Sequence, residues 1–273
     1  MSGKERADVA LVSRGLCPSR EKAQAAIMEG LAYCGENKIR KASDPVRPED
    51  ELTLRAPAHP YVSRGALKLE KALRVFGADL TDRVVMDLGA STGGFTDVCL
   101  RSGARKVYAV DVGYGQLDWK LRNDPRVAVM ERTNARYLTA EAFDPVPSVA
   151  VMDVSFISIR LILPAAVAIL GDEGVIYTLI KPQFEACRES VGKKGVVRDP
   201  AVPARVIRDI VDFAGTLGWE AAGLDFSPIT GPEGNIEFLA ELRKASGDPK
   251  AWPEETLEDL VRQAHAALRD RGH

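Results

Sequence analysis

Val84-Val85-Met86-Asp87-Leu88-Gly89-Ala90-Ser91-Thr92-Gly93-Gly94-Phe95-Thr96-Asp97 decides the fold of this 273-residue chain. An apolar run ends at Asp87, small residues make a tight turn, and a helical pattern opens at once with GGFTDVCLRSG. That is a strand, a turn that lets a ligand approach the backbone, and a helix. The same alternation continues outward. KVYAVDV is followed by the helical pattern QLDWKLRN, and VAVMERT, SVAVMDV and GVIYTLIKP are each followed by a helical or loop segment. The pattern predicts an α/β fold with an open, mostly parallel sheet and helices on both faces. After a helix near 202–217, WEAAGLDFS and IEFLAELR read as the last two strands. No helical pattern separates them, so they should pair antiparallel across SPITGPEGN. Residues 253–271 read as an amphipathic C-terminal helix.

The turn after the first strand is not a dinucleotide fingerprint, because Ser91 stands where a second glycine would meet a pyrophosphate. A ligand without phosphates, whose amino-acid end wants hydroxyl and backbone donors, fits better. Adenosylmethionine is such a ligand, and a nicotinamide nucleotide is its competitor. The expected cofactor residues are Asp87, Gly89, Ser91, Thr92, Gly93, Gly94 and Phe95. Asp111, about twenty residues on, is placed to accept from ribose hydroxyls, Asn134 to meet the adenine edge, and Asp153 to lie beside the methyl donor. A sheet that ends in an antiparallel pair is typical of Rossmann-like adenosylmethionine-dependent methyltransferases.

Ahead of this domain lies a smaller α/β module. Ser19 is a candidate N-cap, Arg20–Glu29 carries the apolar spacing Ala23, Ala26, Ile27, and Gly30 stops the helix. LAYC, KIRKA and ELTLRA are strand candidates. Arg6, Asp8, Leu11, Gly15, Ser19, Arg20, Ala23, Ile27 and Gly30 together resemble the RNA-binding module first described in ribosomal small-subunit protein four. That resemblance implies an RNA-facing basic surface from Arg6, Arg14, Arg20, Lys22, Lys38, Arg40 and Lys41, with Arg64 beyond it. The expected organisation is 1–58 for the module, 59–64 for a proline-stiffened linker and 65–273 for the second domain.

Charge agrees with this division. The chain has a net charge of −2, yet residues 1–76 hold 14 Lys/Arg against 10 Asp/Glu. A basic front on an acidic body suggests an anionic partner. Four scattered cysteines with no Cys-x-x-Cys spacing speak against a zinc or iron–sulfur site. MSGKERADVA has no apolar signal segment, and LILPAAVAIL is too short to span a bilayer. The reading is a reduced, soluble, cytoplasmic protein.

Four residues carry the chemistry: Lys68 in SRGALKLEKAL, Asp153 in VMDVSF, Lys181 in TLIKPQFE and Glu237 in GNIEF. Lys181 follows an apolar strand, which should partly desolvate its ammonium, and a second lysine would push the same way. Two acids would offset two lysines, as a buried site requires. The four resemble the lysine–aspartate–lysine–glutamate set of ribose 2′-O-methyltransferases. YVSRGALKL, DLGASTGGFT, VDVGYGQL, ERTNAR, DVSFIS, KPQFE, KGVVRDP and SPITGPEGNIE extend the likeness over nearly the whole chain. The sequence is similar to the TlyA family, often labelled hemolysin A. The resemblance implies 2′-O-methylation of cytidine in ribosomal RNA, on the large subunit and in some members also on the small one. Ala66 departs from relatives that have a second glycine there. A non-catalytic RNA-binding assembly factor and a membrane-lytic protein are the competing classes. The mixed charge of the C-terminal helix disfavours the latter.

Overall fold

A computed structural model describes residues 3–55, 59–192, 195–247 and 250–269. The chain divides into two compact units, Met1–Pro60 and Tyr61–His273. Pro57, just ahead of the expected linker, lies outside the described residues.

In the first unit, β1 (Glu5–Arg6) leads into α1 (Ala7–Ser13), and α2 (Arg20–Met28) packs against it. Ser19 caps α2, its side chain accepting from Lys22 N at 3.3 Å, and Gly30 takes φ +72° just past its end. Strands β2 (Ala32–Cys34), β3 (Asn37–Lys38) and β5 (Leu52–Leu54) form one sheet in the order β3-β2-β5. The sequence pattern did not suggest β4 (Pro45–Val46), which pairs with β1. It sits in a stretch rich in Asp, Pro and Glu, residues depleted in strands. Ala7, Leu11, Ala23, Ile27, Ile39, Val46 and Leu52 make the core.

Asp8 is the polar centre of this unit. Its buried carboxylate accepts from Arg6 Nε at 2.9 Å, Arg20 Nη2 at 3.0 Å and Gln24 Nε2 at 2.9 Å. The Arg6 bond, helped by Gln24 and Arg20, holds the carboxyl well below its usual range despite burial. Charge-assisted bonds to half-exposed arginines stabilise modestly. Asp8→Ala should therefore cost this unit about 1–2 kcal/mol. Hydrogen exchange on the full chain would show faster exchange in residues 7–28 and unchanged protection in the second unit.

The second unit is a three-layer α/β structure. Its sheet runs β11 (Trp219–Phe226), β12 (Phe238–Lys244), β10 (Val175–Ile180), β9 (Val149–Met152), β6 (Val84–Leu88), β7 (Lys106–Val110), β8 (Val127–Met130). All neighbours are parallel except β12, which is antiparallel to both β10 and β11. The expected antiparallel pair is present. The last strand also inserts between β10 and β11, which pattern alone did not reveal.

Side-chain alternation sorts the sheet into two cores. Met86, Val110, Met152, Ile180 and Phe238 face α6 (Leu163–Leu170), α8 (Ala201–Thr216) and α9 (Glu254–Arg269). Val85, Val107, Val151, Leu179 and Leu239 face α3 (Ala66–Phe76), α4 (Gly94–Arg101) and the short α5 (Trp119–Arg122). Residues 61–64 pack with this unit: Val62 N donates to Asp97 Oδ2 at 3.0 Å, and the Tyr61 hydroxyl donates to Glu70 at 2.6 Å.

Candidate active site

Three two-residue steps bring the chemistry to one place. Val151, Leu179 and Leu239 face α3. Two residues along, on the same side, stand Asp153 and Lys181 just past the ends of β9 and β10, and Glu237 just before β12. Because β12 runs backwards, its start lies at the edge where the parallel strands end. Lys68, in the first turn of α3, reaches them from above the sheet.

The four side chains touch. Asp153 bridges both lysines, with Lys181 Nζ 2.5 Å from Oδ1 and Lys68 Nζ 3.2 Å from Oδ2. Lys68 Nζ also lies 2.7 Å from Glu237 Oε2. Lys68, Lys181 and Glu237 are buried and Asp153 is partly so. Burial works against the Asp153 carboxylate, but Lys68 and Lys181 overcome it and hold its pKa below the ordinary value. Burial likewise works against the Lys68 ammonium, but Asp153 and Glu237 outweigh it and the net shift is upward. Two cations and two anions sharing hydrogen bonds is the arrangement in which buried charge persists. Ser155, which sequence reasoning did not single out, completes the setting: Lys181 Nζ donates to its Oγ at 2.8 Å. Its signal was its place in the VMDVSF string, two residues after Asp153.

The glycine-rich turn lies against this cluster. Gly89 has φ +88°, and a Cβ there would stand 2.8 Å from the Asp153 carbonyl oxygen. The chain just past β6 and just past β9 can meet this closely only because position 89 has no side chain. Ser91 also adopts a left-handed conformation, with φ +48°. Asp111 holds the turn, accepting from Ser91 N at 2.8 Å and Gly113 N at 2.7 Å. Gly93, Gly94 and Phe95 are buried in packing against α5, Ser63 and α3, whereas Ser91 and Thr92 are exposed. Asn134 lies four residues past β8, and its Oδ1 accepts from Arg136 N at 3.1 Å, capping a short turn at Ala135–Tyr137.

Asp87 supplies the test of cofactor fit. It is fully buried and accepts from Thr96 Oγ1 at 2.6 Å through one oxygen, while Oδ1 has no hydrogen-bond partner. An orphaned carboxylate oxygen at a strand end calls for a cationic donor, and an amino-acid ammonium is one. The donor set thus fits adenosylmethionine, with Asp87 toward its amino end, Ser91 and Thr92 as exposed hydroxyls, and Asp111 at the next strand end.

The basic residues expected to face RNA are held in different ways. Arg6 and Arg20 pair with Asp8. Arg14 is spent on its own unit, donating to the Asp50 and Arg47 carbonyls at 2.5 and 2.8 Å. Lys38 stands 6.0 Å from the Tyr33 ring centroid. Lys22, Arg40 and Lys41 are exposed, and their side chains form no ion pair among the described residues. Arg64 is half-buried in the second unit. No helix among the described residues is long and apolar enough to cross a membrane.

The profile of FtsJ-like methyltransferases matches residues 61–244, the greater part of the chain. The chain belongs to the FtsJ-like methyltransferase family. An S4 domain matches residues 5–52 in front of it. A Bacillus subtilis protein named as a candidate rRNA methyltransferase, YqxC, is 50% identical over 273 residues, covering 99% of this chain and 97% of its own. TlyA of Mycobacterium tuberculosis, named a 16S/23S rRNA (cytidine-2′-O)-methyltransferase, is 43% identical over 265 residues, covering 97% and 98%. The solved structure of a candidate hemolysin from Streptococcus thermophilus is 46% identical, with a TM-score of 0.78 and 99% of both chains covered.

Asp87 makes the stability of this FtsJ-like domain depend on pH. Burial pushes its carboxyl up to about 7, opposed by Thr96 and reinforced by Asp153 and Asp111. Between about pH 4 and about 7 the folded chain keeps a proton there that the unfolded chain has released. This group's contribution to stability therefore falls as pH rises through that window. Asp87→Asn removes the linkage, so its melting temperature should gain on wild type between pH 5 and pH 7.5, at roughly 2–4 °C per kcal/mol for a domain of this size. Parallel melting curves across that range would contradict the assignment.

Proposed function

We propose that this chain transfers a methyl group from adenosylmethionine to the ribose 2′-oxygen of a cytidine in ribosomal RNA, with the large-subunit RNA as the target and the small-subunit RNA as the additional one that some relatives modify. In this reading residues 1–58 hold the RNA, 59–64 connect, 65–273 react, and the protein works in the cytoplasm where ribosomes are made. The observation that carries it is the convergence of Lys68, Asp153, Lys181 and Glu237 beside the turn at 89–94. The named activity of the Mycobacterium tuberculosis relative supports the same choice.

Adenosylmethionine, when bound, supplies a methyl already activated on a sulfonium. What remains for the protein is to place the acceptor and handle its proton. A ribose hydroxyl is a very weak acid. Lys181 Nζ is fixed by two acceptors, Asp153 Oδ1 and Ser155 Oγ. An amine nitrogen has one direction left after those two, and in this reading that direction meets the 2′-oxygen. Through it Lys181 takes the hydroxyl proton as a neutral amine, or donates to the developing alkoxide as an ammonium. Asp153 is already paired to both lysines, so it stabilises the charge that arrives. Lys68 and Glu237 hold Asp153 in place.

Tritiated methyl transfer onto ribosomal RNA and subunits, followed by mapping of alkali-resistant linkages, tests the reaction directly. Lys181→Ala should lower turnover by about 10³-fold or more while leaving adenosylmethionine affinity within severalfold. Transfer at the wild-type rate would remove Lys181 from the role. RNA docking through the first unit should be electrostatic. Changing Lys22, Arg40 and Lys41 together to alanine should reduce the slope of log affinity against log salt by roughly 2–3. An unchanged slope in filter binding would place the RNA contact elsewhere.

A further inference from the structure

Glu185 has no part in the chemistry above, yet its side chain is only 1% exposed. It ends the helical turn α7 (Pro182–Glu185), which follows Lys181 directly. Both of its oxygens are committed to one loop. Oε2 accepts from Ser158 Oγ at 2.6 Å, and Oε1 accepts from Ile159 N at 2.7 Å. That loop starts at Asp153 and carries Ser155, the two groups that grip Lys181.

Residues 153–159 and 181–185 are therefore cross-linked at both ends. Lys181 meets Asp153 and Ser155 at one end, and Glu185 meets Ser158 and Ile159 at the other. Between them the rings of Phe156 and Phe184 lie 5.2 Å apart. The loop does not hold this shape unaided. Phe156 has φ +65°, a left-handed conformation that strains a residue with a Cβ, and it is 92% exposed, so burial does little to offset the strain. Strained backbone persists when its surroundings over-determine it. On the Asp153 side the constraint is the bare Cα of Gly89 against the Asp153 carbonyl. On the far side it is Glu185.

We propose that Glu185 is a positioning residue for Lys181, which anchors the strained 153–158 loop so that Asp153 and Ser155 stay in register with the Lys181 ammonium. This rests on the reading of Lys181 as the group that meets the acceptor hydroxyl. Asp153 bears directly on Lys181, with Lys68 and Glu237 behind it. Arg160 bears on Glu185, its Nε 3.9 Å away, and also reaches Asp209 at 3.4 Å.

The test uses the full chain, tritiated methyl transfer to ribosomal RNA and a pH–rate profile. Glu185→Ala should slow single-turnover transfer about 10- to 100-fold and leave the KM for adenosylmethionine within about twofold, because an ångström of misplacement acts on the reacting step. It should also change the shape of the pH–rate profile, because the charged and polar groups around the reacting centre have moved. Glu185→Gln can still accept from Ile159 N and donate to Ser158 Oγ, so it should restore both rate and profile. A Glu185→Ala variant with reduced amplitude but a wild-type profile overturns the inference, as does a glutamine variant as impaired as alanine. If Glu185→Ala does not fold, Ser158→Ala decides: a changed profile supports the anchor and an unchanged one overturns it. Full transfer by Lys181→Ala sinks the underlying reading, whereas an inactive Lys181→Ala beside a wild-type-like Glu185→Ala sinks only the role of Glu185.

Discussion

A single carboxylate between two ammonium groups organises the catalytic unit. Asp153 meets Lys181 through one oxygen and Lys68 through the other, which fixes the separation of the two cations. Removing it would leave two buried positive charges sharing one remaining acid, and an uncompensated buried charge is far more costly than the net value of any pair. The neighbouring features answer to this demand. Glu237 brings the charge to balance, Gly89 lets the Asp153 backbone sit close to the end of β6, and Ser155 takes a further Lys181 hydrogen.

The sheet topology follows the same constraint. Parallel strands deliver only their C-terminal ends to the active edge, so a glutamate leading into a parallel strand would arrive on the far side of the domain. Inserting β12 backwards beside β10 reverses that, and the pairing of Ile180 with Phe238 sets Lys181 and Glu237 next to one another at the edge. The antiparallel strand is thus the means by which an acid from late in the chain joins a lysine from the first helix of this unit.

Much of this was legible in the sequence because the fold uses regular periodicities. The alternating strands and helices, the turn at 87–97 and the closing antiparallel pair can all be read as patterns of period 2 or 3.6. The four charged residues stood out because each interrupts or ends an apolar run. What escaped was of a different kind. The insertion of β12 between β10 and β11 is a choice among sheet edges that leaves no local signal. The two-residue strand β4 has too few positions to show a period, and its Pro45 argues against a strand. Arg14 reads as one more surface cation, yet it holds two backbone carbonyls, because a guanidinium serves either purpose equally well. Glu185 and Ser155 look like ordinary polar residues until the loop they control is seen in three dimensions.

The order in which the charged cluster is completed has a consequence for synthesis. Its members enter the chain at positions 68, 153, 181 and 237, and the last strand is the one that carries Glu237 to the edge. A nascent chain lacking that strand would present Lys68 with half its counter-charge and β10 with an unpaired border. The catalytic unit therefore has little reason to settle before its C-terminal third has been made, whereas the front unit closes its own core within the first 55 residues. The front unit can be complete well before the second unit exists.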